Sequence, residues 1–187
     1  MKQDIFAYII IIVFFAMDFV LRTGKTANSL NKTKDDNNST KLIVLTFAII
    51  LITAELLSYF RIGLFQSRKI SFIALGFMVI GLLIRIYSML KLKASYTRIL
   101  LKTDQQKLIS TGLYGIIRHP GYLGTILIWI FFGFAINNYF VAAISIFLIL
   151  ATYAYRINAE EKMLSEQFGP EYKNYQKQTW KVIPFIW

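Results

Sequence analysis

The 187-residue chain has no cysteine, a single histidine and only three prolines. Without cysteine there can be no disulfide framework, no thiolate metal site and no cysteine nucleophile. One histidine would leave a transition-metal site to be built mostly from carboxylates, and no ligand spacing of that kind occurs, so no bound metal is expected. Acidic residues are also scarce, 10 against 21 Lys and Arg, for a formal net charge of +11. No Gly-x-Gly-x-x-Gly and no P-loop is present, so a Rossmann domain is not expected.

What the chain has is apolar surface: 56% of its residues are hydrophobic and 16% aromatic. That composition belongs to membrane proteins. Five apolar segments stand out, at residues 5–21, 42–60, 70–90, 121–136 and 139–156. Several approach or exceed the roughly 18–20 residues a helix needs to cross the hydrocarbon core. No ten-residue alternation suggests a barrel, and lipid cannot satisfy an open backbone. The expected fold is therefore an all-α integral membrane protein with five transmembrane helices in one domain, two N-terminal helices in 1–69 and a motif-bearing core in 70–187. Lys2 before an apolar run resembles a signal peptide, but no small-residue cleavage pattern follows, so the first segment reads as a retained helix. Asn137-Asn138 is a turn signal, predicting a tight hairpin of the fourth and fifth helices.

The polar segments divide unevenly in charge. The N-terminus, the 61–69 loop and the 137–138 turn hold only Lys2, Arg61, Arg68 and Lys69. All other Lys and Arg except Arg85, within the third segment, lie in the 22–41 loop, the 91–120 loop and the tail from Arg156. The positive-inside rule makes that second set cytoplasmic and puts the N-terminus outside. Basic residues that flank apolar segments and form no reader motif do not indicate a nucleic-acid partner. Asn28 to Thr40 reads as a mobile polar loop. Its glycosylation sequons would remain unmodified on the cytoplasmic side.

Chemistry concentrates at two cytoplasmic positions. His119 precedes Pro120, a residue suited to the first position of a helix, so the fourth helix would start there and present unpaired amides that favour an anionic group. Gly121 and Gly124 on its first turn admit either a ligand or a neighbouring helix. His119 is either a capping histidine or a member of a site with Arg118, Tyr114 and Tyr122. Arg156 and Glu160 share a helix face four residues apart, either as a surface ion pair or, since guanidinium suits bidentate capture, as a carboxylate-holding site. Asp18, Glu55 and Arg85 are ionisable residues within apolar segments. At 1.5 Å per residue Asp18 and Arg85 lie at similar depth near the cytoplasmic ends of their helices, which suits an ion pair or a substrate path lined by Arg85. The apolar end Val182-Ile183-Pro184-Phe185-Ile186-Trp187 either folds over the mouth of the bundle or anchors at the interface.

These residues resemble the isoprenylcysteine carboxyl methyltransferase (ICMT) family. The family pattern G-x-Y-x-x-x-R-H-P-x-Y-x-G, then a membrane hairpin, then R-x-x-x-E with an adjacent glutamate is met by Gly112, Tyr114, Arg118 to Gly124, and Arg156 to Glu161. Phe168-Gly169-Pro170-Glu171-Tyr172, Tyr175 and Ile183-Pro184-Phe185 also look like this family. The likeness covers roughly residues 70–187. It implies S-adenosyl-L-methionine as cofactor, bound by Gln106, Lys107, Leu108, Ile109, Tyr114, His119, Pro120, Gly121, Tyr122, Glu160 and the adjacent Glu161, with a C-terminal tail enclosing it. It further implies Arg156 facing the substrate carboxylate, Arg156 and Glu160 as the catalytic pair, and a lipidic or prenylated acid as partner; Arg85 is a second substrate-binding candidate. Phospholipid N-methyltransferases look similar around the same motifs, so a lipid amine is the alternative acceptor, and a small transporter or scaffold is a distant one. Arg156 favours the acid.

Overall fold

A computed structural model describes residues 2–20, 38–92 and 108–186. These residues form helices α1 (Lys2–Val20), α2 (Ser39–Tyr59), α3 (Arg68–Leu92), α4 (Pro120–Ala135), α5 (Tyr139–Phe168) and α6 (Pro170–Gln178), with a short 3-10 turn at Gly112–Gly115 before α4. The only β-type contacts among them are two isolated bridges, Leu64 with Asn138 and Ile117 with Trp180. Helices α2, α3 and α5 are long and apolar enough to cross a membrane, and α4 is a shorter apolar helix. The chain is thus an integral membrane protein.

Local chemistry sets the ends. Pro120 occupies the first turn of α4 behind His119, whose φ of −122° and ψ of 56° are not helical, as expected for a residue preceding proline. Asn138 caps α5 by accepting from the amides of Phe140 and Val141, and its own amide group donates to the Ile62 carbonyl at 2.9 Å. The α4–α5 hairpin is thereby tied to the turn after α2. Helix α5 runs for 30 residues, about 45 Å at 1.5 Å per residue, so it outruns a hydrocarbon core of about 30 Å. Its last turns, from Arg156 onward, lie past the apolar segment of the sequence and carry the charged residues. Gly169 and Pro170 then break it.

Small residues let the helices approach. A Cβ on Gly124 would lie 2.5 Å from the Gly81 carbonyl oxygen, and one on Gly133 would collide with the Ala142 amide nitrogen. The first contact closes α3 on α4 and the second closes α4 on α5, so Gly124 serves helix packing. Around this spine the core is aromatic: Phe47 of α2 stacks on Trp129 of α4 with centroids 4.2 Å apart, and Phe14 of α1 meets both edge-on. Thr46 and Thr152 share a hydrogen bond of 2.8 Å between α2 and α5. Outward faces carry exposed Ile, Leu and Phe on α1, α2 and α3, which is the pattern lipid requires.

Candidate active site

Two arginines enter the bundle near one end. Arg85 of α3 makes an ion pair with Asp18 of α1 at 2.9 Å and donates to the Gly121 carbonyl at 3.3 Å. Of the two readings of these charges, the ion pair is present, and Arg85 also borders the cavity described below. Arg156 of α5 is only 3% exposed. It donates from Nε to the Tyr122 hydroxyl at 3.1 Å, and from Nη1 to Ser39 Oγ at 2.7 Å and Thr40 Oγ1 at 3.1 Å. Arg156 is no surface residue. Ser39 and Thr40, read from the sequence as part of a mobile loop, are instead the buried first turn of α2, whereas residues 28–37 lie outside the described residues.

His119 stands where α4, α5 and the tail meet. Its ring stacks on Tyr122 at 5.5 Å and 12°. Nε2 lies 3.3 Å from Glu161 Oε1 and Nδ1 3.8 Å from Glu160 Oε2. Glu161 also receives Arg118 Nε at 2.7 Å and has Lys181 Nζ 3.5 Å from its other oxygen. Burial would raise the Glu161 carboxyl, but hydrogen bonds from His119 and Arg118 outweigh it and hold the group down at about 2. A folded-state value below the ordinary 4.5 means that the stabilisation is complete above pH 4.5 and is lost as pH falls toward 2. Between pH 5 and pH 3 the unfolding temperature of the wild type should therefore drop more steeply than that of Glu161→Gln. Parallel profiles would show that the carboxylate contributes nothing.

The tail after α6 straps this cluster in place. Arg118 and His119 donate their backbone amides to the carbonyls of Trp180 (2.8 Å) and Lys181 (3.1 Å), and the Trp180 amide donates to Ile116. Arg118 Nη1 reaches the carbonyls of Gln176 and Thr179. Val182 is fully buried, while Phe185 and Ile186 remain exposed. The apolar end thus folds back against the start of α4. On α6, Tyr175 donates to the Tyr114 carbonyl at 2.6 Å; burial pushes its hydroxyl up to about 12 despite the nearby Arg118.

These parts wall one cavity of about 410 Å³. Its polar side holds Asp18, Arg85, Arg118, His119, Tyr122, Arg156 and Glu160; its apolar side holds Phe14, Phe15, Ile43, Val44, Phe47 and Leu51. Of the residues singled out from sequence, Leu108, Ile109, Tyr114, Gly121 and Arg85 also line it. Pro120 sits beside them as the first residue of α4, Glu161 stands behind His119, and Gln106 and Lys107 lie outside the described residues. Sequence reasoning missed Ser39, Thr40, Tyr153 and Tyr172. Tyr153 was visible only as an aromatic residue of an apolar helix, Tyr172 only as part of the family-like ending with no role assigned to it, and Ser39 and Thr40 lie more than a hundred residues from Arg156.

A helical membrane protein that turns arginine, glutamate, histidine and tyrosine side chains into one cavity with an apolar half defines the class, one without a nucleotide-binding sheet among the described residues. A sequence profile of the isoprenylcysteine carboxyl methyltransferase (ICMT) family matches residues 74–166, and the chain belongs to that family. It is 29% identical over 189 residues to a probable protein-S-isoprenylcysteine O-methyltransferase of Oryza sativa subsp. indica, covering 94% of this chain and 93% of the relative. It is 31% identical over 116 residues to the protein-S-isoprenylcysteine O-methyltransferase of Schizosaccharomyces pombe, covering 60% of this chain and 49% of that one. The solved structure of a eukaryotic intramembrane Ras methyltransferase ICMT superposes with a TM-score of 0.66 at 21% identity, over 93% of this chain and 62% of its own. That likeness shows the fold. The chain spans about half of the fission-yeast relative and under two thirds of the solved one.

Proposed function

We propose that the protein transfers a methyl group from S-adenosyl-L-methionine to the carboxylate of a lipidic substrate, such as a prenylated cysteine, at the cytoplasmic membrane face. In this reading the chain is one domain crossing the membrane five times, with the N-terminus outside and the tail of 170–186 enclosing the cofactor. The observation that carries it is the two-sided cavity: Arg156 and Glu160 are held on its polar wall, and it continues into an apolar, aromatic half. A lipid acid has the same two-part chemistry.

The cavity fits the donor. Glu160 Oε2 is buried without a hydrogen-bond partner among the described residues, an acceptor suited to an ammonium group. Bound there, S-adenosyl-L-methionine supplies an electrophilic methyl on a sulfonium. Glu160 holds the amino group, Tyr114, His119, Pro120, Gly121 and Tyr122 form the facing wall, and Leu108 and Ile109 pack beside it, with Gln106 and Lys107 next in the chain. Glu161 acts through His119, whose ring it fixes together with Arg118. Arg156 orients the acceptor carboxylate, and Arg85 lines its approach.

No side chain needs to deliver a proton, because the sulfur leaves neutral and the carboxylate arrives already ionised. The side chains contribute alignment and exclusion of water, which together are worth several kcal/mol or about 7–11 when placement is near ideal. Incubating the purified protein with labelled methyl donor and prenylcysteines, lipid acids and lipid amines tests the reading. Label is expected in the acids; label confined to amines would overturn it. Glu160→Gln should weaken donor binding about tenfold or more, since a hydrogen bond to a charged group is worth about 1.5–3 kcal/mol. Unchanged affinity would take the donor amine away from Glu160.

A further inference from the structure

Tyr172 of α6 lines the cavity and is 1% exposed, yet its hydroxyl has no hydrogen-bond partner among the described residues. Its neighbour Tyr175, with ring centroids 5.9 Å away, has already committed its proton to the Tyr114 carbonyl. Leaving a buried hydroxyl unsatisfied costs about 1–3 kcal/mol. Phenylalanine would fill the same space without that cost, so among the described residues nothing gains from the hydroxyl.

A second buried atom with no hydrogen-bond partner among the described residues borders the same cavity, Glu160 Oε2, whose nearest charged neighbour is His119 Nδ1 at 3.8 Å. One is an acceptor with a negative charge; the other can donate. Burial first, and then the charges of Glu161 and Glu160, raise the Tyr172 phenol above its ordinary value, so it keeps its proton at any working pH. An ammonium and a carboxylate on one small group would satisfy both atoms at once. The amino-acid end of the methyl donor has that chemistry, whereas its nucleoside end has neither charge.

We propose that Tyr172 donates a hydrogen bond to the carboxylate of the donor's amino-acid end, beside the ammonium held by Glu160. This assigns α6 a direct hold on the cofactor rather than a covering role alone, and it rests on the methyl-donor reading given above. The carboxylate would also find Arg118 on the same wall of the cavity.

The test compares two nucleosides on the full-length protein, wild type and Tyr172→Phe. S-adenosylhomocysteine carries the amino-acid end, and 5′-methylthioadenosine lacks it. By calorimetry the variant should bind S-adenosylhomocysteine about 10- to 150-fold more weakly, the range expected for one hydrogen bond to a charged group. Its affinity for 5′-methylthioadenosine should stay within about twofold of wild type on the same reasoning. The unfolding temperature without ligand should be unchanged or higher, because an unsatisfied group has been removed. Equal losses for both nucleosides, no loss for S-adenosylhomocysteine, or a ligand-free variant that unfolds earlier or fails to fold would each overturn the proposal. A wild type that binds neither nucleoside would instead remove the methyl-donor reading on which it stands.

Discussion

Arg156→Ala is expected to lower methyl transfer to an acidic acceptor by about 10²–10³-fold, while donor affinity stays within about threefold of wild type. The magnitude follows from removing one partner of a buried, charge-assisted contact, about 3–4 kcal/mol. The Tyr122 hydroxyl takes the guanidinium at Nε, and the Ser39 and Thr40 hydroxyls take it at Nη1. They fix its plane without carrying charge of their own, so an arriving carboxylate meets an oriented cation instead of a flexible one. Arg156→Lys keeps the charge and loses the fork. It should fall between wild type and alanine, mostly through a higher KM for the acid. Turnover of the alanine variant at the wild-type rate would remove Arg156 from the acceptor site.

The second large effect is on stability. Asp18→Ala leaves the Arg85 guanidinium without its carboxylate in a position where both side chains are largely buried. Breaking such a pair from one side costs about 3–5 kcal/mol, whereas replacing both partners with apolar residues is often close to neutral. Thermal unfolding in a fixed detergent should therefore show a marked loss for Asp18→Ala and substantial recovery for Asp18→Ala combined with Arg85→Met. A single variant as stable as wild type would mean that the charge is solvated from within the cavity. Because α1 meets α3 through this pair, the experiment also reports how firmly the first helix is held.

The helices were legible because their signal is local. Apolar runs with few breakers located α1 to α4 to within about a helical turn, and Pro120 and Asn138 marked two of the starts. Helix α5 outruns its apolar segment to Phe168, an extension that hydropathy does not signal but that the four-residue spacing of Arg156 and Glu160 on one helix face does. The pairing of Asp18 with Arg85 could be anticipated from depth alone. Pieces of the site set by long-range packing could not. Nothing local in Ser39-Thr40 distinguishes a turn that holds Arg156 from a linker of the same composition. Likewise, the parallel contact of Trp180 with Ile117 leaves no trace in the periodicity of either segment. Tyr172 and Tyr175 share one helix and one face, yet one hydroxyl is engaged and the other is not, a distinction that depends on where the Tyr114 carbonyl falls.

The strap also imposes an order on biosynthesis. Residues 179–182 emerge from the ribosome after each of the six described helices, and their backbone supplies the partners for the amides of Arg118 and His119. Translation adds roughly 5–20 residues per second. The described helices can therefore associate while the backbone amides of Arg118 and His119, beside the cavity, still lack those partners. Docking of that segment alongside Ile117 thus closes a contact between two stretches more than sixty residues apart, and it fixes the approach to Pro120 only after the helices around it have been made.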